Sequence, residues 1–123
     1  MRAARIVLGL ALVIAGGFLA FHPVWVADQL GKPHDTAPRL MNLRASYGGA
    51  VLGIGAWLAW LPAIRPWWRP VLGLVGWSMA GVGLARLTGF ALDGTPDTRQ
   101  IIWITAEAIL AVGSALALRR LSR

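Results

Sequence analysis

The chain has 123 residues, 57% of them apolar and 14% charged, with no cysteine and a formal net charge of +7. That length fits a single domain, and the composition departs from the roughly 45–50% apolar and about 25% charged of ordinary soluble domains. Lack of cysteine excludes disulfides, thiolate metal sites and thiol nucleophiles; the basic balance would suit nucleic acid, but the placement of the charges points to a membrane.

Ile6 to Phe21 carries no charge and follows Arg2 and Arg5. A secretory signal has the same outline. Here Ala20-Phe21-His22-Pro23 offers no small-x-small cleavage site, and Val24, Trp25 and Val26 lengthen the run toward the roughly 20 residues that a span needs. The reading is a retained first span over about 5–26. From Ala27 to Met41 the chain is polar, and Gly31, Pro33 and Pro38 argue against a regular helix through it. Pro33-His34-Asp35 reads as a turn, and no metal site is expected.

The second span is expected over 43–61. It opens on Asn42-Leu43-Arg44-Ala45-Ser46-Tyr47-Gly48-Gly49, and Gly49 and Gly53 share a helical face that Gly48 and Gly55 should widen. In lipid such a smooth strip lets another backbone come close. A turn with Arg65, Trp67, Trp68 and Arg69 follows, suited to headgroup depth. The third span, 71–92, carries a second small-residue face including Gly76 and Gly83, and it holds Arg86. Asp93-Gly94-Thr95-Pro96-Asp97 is a tight turn into the fourth span, 100–118, which holds Glu107.

If the spans alternate, one side collects Arg2, Arg5, Arg65, Arg69, Arg119, Arg120 and Arg123 without an acid. On the other, Lys32, Arg39, Arg44 and Arg99 balance Asp28, Asp35, Asp93 and Asp97. The positive-inside rule makes the first side cytoplasmic, with both termini there. The expected fold is thus all-α, an integral membrane four-helix bundle in a single domain. The continuous apolar runs leave no room for the alternation of a β-barrel.

Arg86 and Glu107 each lie roughly 10–12 Å below the non-cytoplasmic surface at about 1.5 Å rise per residue. An unpaired charge there would cost several kcal/mol, so an Arg86–Glu107 ion pair is expected, extended by Arg44, Tyr47 and Asp93. Such a cluster either clamps the helices or binds a polar group. No P-loop, dinucleotide fingerprint or catalytic triad is present in the sequence, and no cofactor is implied.

The combination Asn42-x-Arg44-x-x-Tyr47-Gly48-Gly49, Gly83-x-x-Arg86-x-x-Gly89, Asp93-Gly94-x-Pro96 and Glu107 resembles a family of small four-span bacterial membrane proteins known as a domain of unknown function, broadly similar to the DoxX-like proteins. The resemblance implies a four-helix integral membrane fold. It points to Arg44, Tyr47, Arg86, Asp93 and Glu107 and implies no activity.

The leading functional reading is a non-enzymatic accessory or oligomerising subunit of the bacterial inner membrane, with the bilayer, a second copy or another membrane protein as partner and no nucleic acid. Its warrant is the double glycine face. The alternative is a protein that binds or modifies a lipid, quinone or other amphipathic molecule held between the spans, with its polar end at the Arg86–Glu107 network and a cavity opening toward the outer leaflet beside Tyr47. Part of a small transporter comes third.

Overall fold

The computed structural model describes residues 2–61 and 63–123, and these form helices and turns with no strand among them. The elements are α1 (Arg2–Phe21), α2 (Pro23–Leu30), α3 (Ala37–Leu43), a π-helical segment (Arg44–Gly49), α4 (Ala50–Trp60), α5 (Trp68–Leu92) and α6 (Thr98–Leu121). Three of them, α1, α5 and α6, are long and apolar enough to cross a membrane.

The first expected span ends early. His22 leaves the helix at φ −129° and ψ 56°, and Pro23 follows it. Proline disfavours helical backbone in the residue before it, so α1 stops at Phe21 and α2 starts a new direction as a separate two-turn helix. Gly31, at φ 64°, closes α2 in the left-handed conformation that glycine adopts at little cost.

The polar stretch is also more helical than its prolines suggested. Thr36, in extended backbone, accepts from the Arg39 amide, and Pro38 falls in the first turn of α3, where its missing N–H is not needed. The backbone then stays helical through Leu43, Arg44 and Ala50, so α3, the π segment and α4 form one unbroken rod over 37–60.

The long elements pack in chain order: α1 on the rod, the rod on α5, α5 on α6. No comparable contact joins α1 to α6 among the described residues, so the layer is an open row rather than a closed bundle. The outer helices each bury a single seam. In α1 it is Gly9, Gly16 and Ala20; in α6 it is Gln100, Glu107 and Ser114, at seven-residue intervals. Val7, Ile14 and Phe21 of α1 stand out at 62–74% exposure, an apolar surface that lipid rather than water would cover.

Glycine sets the spacing of the row, and the rod uses two strips rather than one broad strip. Gly48 and Gly55 meet Ala20, Gly9 and Val13 of α1, while Gly49 and Gly53 meet Gly81, Val82 and Ser78 of α5. On α5, Gly76 faces Ser114 and Gly83 faces Ile104 and Glu107 of α6. All six glycines read as packing positions are therefore occupied within one chain. The self-assembly expected from these glycines is left with one open face, the trough between α5 and α6 that Gly73 and Gly76 line.

At the end carrying the N-terminus, Arg5 donates to the carbonyls of Leu58 (2.6 Å) and Leu61 (3.3 Å). Those oxygens lack helical partners where the rod stops, and a cation there also favours the helix dipole.

Candidate functional site

At the opposite end, side chains replace the backbone bonds that the His22–Pro23 break removes from α1. His22 donates through Nδ1 to the Phe18 carbonyl at 2.9 Å and stacks on the Phe18 ring. Arg44 reaches across from the rod and donates through Nη1 to the Ala20 carbonyl at 2.7 Å. Its other edge meets Asp93 at the end of α5 in a two-pronged pair, Nε to Oδ2 and Nη2 to Oδ1, both 2.7 Å. Both side chains are buried, at 8% and 3% exposure. One guanidinium thus ties α1, the rod and α5 together. Arg44 is the first residue of the π turn, where the bonding changes to i→i+5.

Arg86 organises a second set of contacts between α5 and α6. Its Nε lies 3.1 Å from both Glu107 oxygens and its Nη2 is 2.7 Å from Oε1. Nη1 donates to Gln100 Oε1 at 2.5 Å and to Asn42 Oδ1 at 3.4 Å. The pair is as dry as the first, at 4% and 6% exposure. Local geometry assembles it. Asp97 caps α6 by accepting from the Gln100 amide at 2.9 Å, and the Gln100 side chain then turns to Arg86 instead of back to the cap.

The two glycines flanking Arg86 also have distinct tasks. A Cβ on Gly83 would stand 3.9 Å from Glu107 Oε2, whereas one on Gly89 would lie 2.9 Å from Met41 Cγ and 3.0 Å from Asp93 Oδ2. Gly89 therefore makes room for the Arg44–Asp93 pair beside the fully buried Met41.

The five polar residues singled out in the sequence thus fall into three places rather than one network. Arg86 joins Glu107, and Arg44 joins Asp93. Tyr47 belongs to neither pair; it packs beside Val26, Ala27 and Leu43 and accepts a hydrogen bond from Lys32 Nζ at 2.5 Å. Sequence reading missed Gln100, Asn42, Lys32 and the Ala20 carbonyl as partners. The seven-residue spacing of Gln100, Glu107 and Ser114 was the available signal for the first of these.

Above the ion pairs lies a pocket of about 220 Å³, open at this end of the molecule. One wall is the rod face of Arg39, Asn42, Ser46 and Tyr47; the other is Lys32 and Pro33 after α2. Asn42 connects pocket and frame, since its side chain lines the one and touches Arg86 in the other. Outside it, His34 meets Asp28 at 3.2 Å and Arg39 meets Asp35 at 2.5 Å. The hydrogen bond from Arg39 holds the Asp35 carboxyl below its ordinary value, so Asp35 is ionised at neutral pH and cancels the Arg39 charge. Among the described residues no three His, Asp or Glu side chains are grouped to hold a metal ion.

The protein family described as Domain of unknown function (DUF4345) matches residues 1–118, and the chain belongs to that family. No curated protein and no solved structure matches it.

Proposed function

We propose that this is a bacterial inner-membrane protein that crosses the bilayer four times with both termini in the cytoplasm, as one domain, and works as a binding protein for the polar end of an amphipathic molecule. The fourth crossing is the rod over 37–60. Its α4 portion has only 11 residues, but the unbroken helix has a length of about 36 Å at 1.5 Å rise per residue, enough for a hydrocarbon core of about 30 Å. Support for the sidedness comes from the basic residues, which gather at the end where Arg5 caps the rod.

The observation that carries the binding reading is the pocket beside Tyr47. It opens at the end away from Arg5, which the sidedness proposed here makes non-cytoplasmic and the bilayer's polar layer would meet. Both ion pairs are buried, and each of their guanidinium nitrogens already has a partner in the protein. The ion pairs serve as the frame, and the pocket above them as the site. At about 220 Å³ it is below the roughly 300–1,000 Å³ of sites that engulf a whole small molecule, so it suits a head group whose tail remains in lipid.

Native mass spectrometry of the protein released gently from its own membrane tests this. The wild type is expected to carry a small amphipathic adduct that is lost in Ser46→Trp, a substitution at an exposed position that fills the pocket. An adduct that persists in the variant, or a wild type with none, would reject the reading. Assembly keeps one support of its own, a shallow apolar trough between α5 and α6 lined by Gly73, Gly76, Ala80, Ala111 and Ala115. The same spectra would show it as a multiple of the monomer mass.

A further inference from the structure

We infer that the pocket beside Tyr47 is an oxyanion site, built for a phosphate or carboxylate group; this rests on the binding reading above and names the chemistry of the head group. The lining is rich in donors and holds no carboxylate. Lys32 is the central one. Its ammonium stands 4.9 Å over the Tyr47 ring and donates to the Tyr47 hydroxyl, and no carboxylate neutralises it among the described residues. Arg39, the other cation of the lining, is already matched by Asp35. The pocket therefore has one uncompensated positive charge.

The neutral groups add to it. Because the Tyr47 oxygen accepts from Lys32, its own proton is left to donate outward. Asn42 Oδ1 is turned toward Arg86 in a long contact of 3.4 Å, with its two N–H donors facing away from the frame. Ser46 is exposed on the rod, one helical turn beyond Asn42. Thr88 and Thr105 donate to the carbonyl four residues back, at 2.9 and 2.8 Å, whereas the Ser46 hydroxyl has no such partner among the described residues.

Four donor groups from two walls thus border one small space. The Ser46 and Tyr47 hydroxyls could serve an uncharged sugar or glycerol head as well, so it is the uncompensated Lys32 charge that selects an oxyanion. With about 30 Å³ as one water's share of liquid volume, about 220 Å³ accommodates a phosphate-sized group and a few waters.

The test uses the full chain, purified in uncharged detergent and freed of lipid, with thermal unfolding followed as each probe is added. A ligand that binds the folded state alone raises Tm with concentration. Phosphatidylglycerol is expected to raise Tm saturably and diacylglycerol to leave it unchanged. Lys32→Gln should require at least about tenfold more phosphatidylglycerol for the same rise, with Lys32→Arg near wild type. The unliganded Tm of each variant checks that it folds. A matching rise with inorganic phosphate alone would support the oxyanion site and assign its source to a free anion. Equal rises with diacylglycerol and phosphatidylglycerol, both indifferent to Lys32→Gln, would overturn the oxyanion and leave the amphiphile reading standing. No rise with any probe would overturn both.

Discussion

Glu107→Leu is expected to destabilise the protein by about 3–5 kcal/mol, the usual cost of removing one partner from a buried pair. Leucine fills much of the space, so the loss is electrostatic. Arg86 would keep Gln100 and the weak contact to Asn42 but lose the carboxylate that takes three of its hydrogen bonds. A guanidinium without a counter-charge inside a span is unfavourable enough to draw the local helix toward the surface. The double variant Arg86→Leu with Glu107→Leu should recover most of the loss, because a closed pair stabilises little relative to apolar residues of similar size. Reversible unfolding in mixed micelles, followed by tryptophan fluorescence, measures all three. A single variant costing less than about 1 kcal/mol would mean that the pair is not buried as described.

Gly53→Leu is expected to disrupt the fold of the single chain. A Cβ at Gly53 would lie 2.7 Å from Ser78 Cα and 3.0 Å from the Trp77 carbonyl carbon, both backbone atoms that cannot move aside as a side-chain tip can. Overpacking in a well-packed core costs about 1–3 kcal/mol, and backbone against backbone belongs at the upper end. Gly113→Leu is the matched control, since nothing lies within 4 Å of a Cβ there. The glycine-rich sequence alone suggested another outcome, in which a leucine at Gly49 or Gly53 separates subunits while monomers insert normally. The two accounts differ in one measurement. Loss of thermal stability at unchanged oligomeric mass supports the internal role, and loss of oligomer at unchanged stability supports the other.

That contrast shows where the sequence was informative. Apolar runs of span length, broken by prolines and charges, disclose the all-helical class because lipid forces backbone groups to pair within a segment. Arg86 and Glu107 could be matched because each lies at a countable depth from the same short turn. Arg44 and Tyr47 were seen at the right end of the molecule, but their partners depend on events that a pattern of apolar residues does not carry. The π turn alters the phase of the rod just where both side chains leave it, and the break at His22 frees the Ala20 carbonyl that Arg44 then takes. Glycine counting likewise revealed smooth faces without saying which neighbour uses each. Gly48 and Gly49 are adjacent in sequence yet face α1 and α5 respectively.

The pocket was legible only in outline: the sequence reading placed a ligand's polar end at Arg86 and Glu107, but that pair is closed on itself and neither residue lines the pocket. Asn42, Ser46 and Tyr47 lie on one side of the rod, but Lys32 reaches them only because Gly31 turns the chain back after α2. That geometry offers a direct probe, because Tyr47 is the one tyrosine of the chain.

Protein labelled with 13C in tyrosine should therefore give a single ring signal from inside the proposed site, and titrating it with phosphatidylglycerol is the most direct test of the account. The signal is expected to shift saturably with phosphatidylglycerol, to ignore diacylglycerol, and to lose its response in Lys32→Gln while keeping it in Lys32→Arg. A tyrosine signal that stays fixed while the lipid binds and moves tryptophan signals instead would contradict the account, placing the ligand elsewhere on the helices.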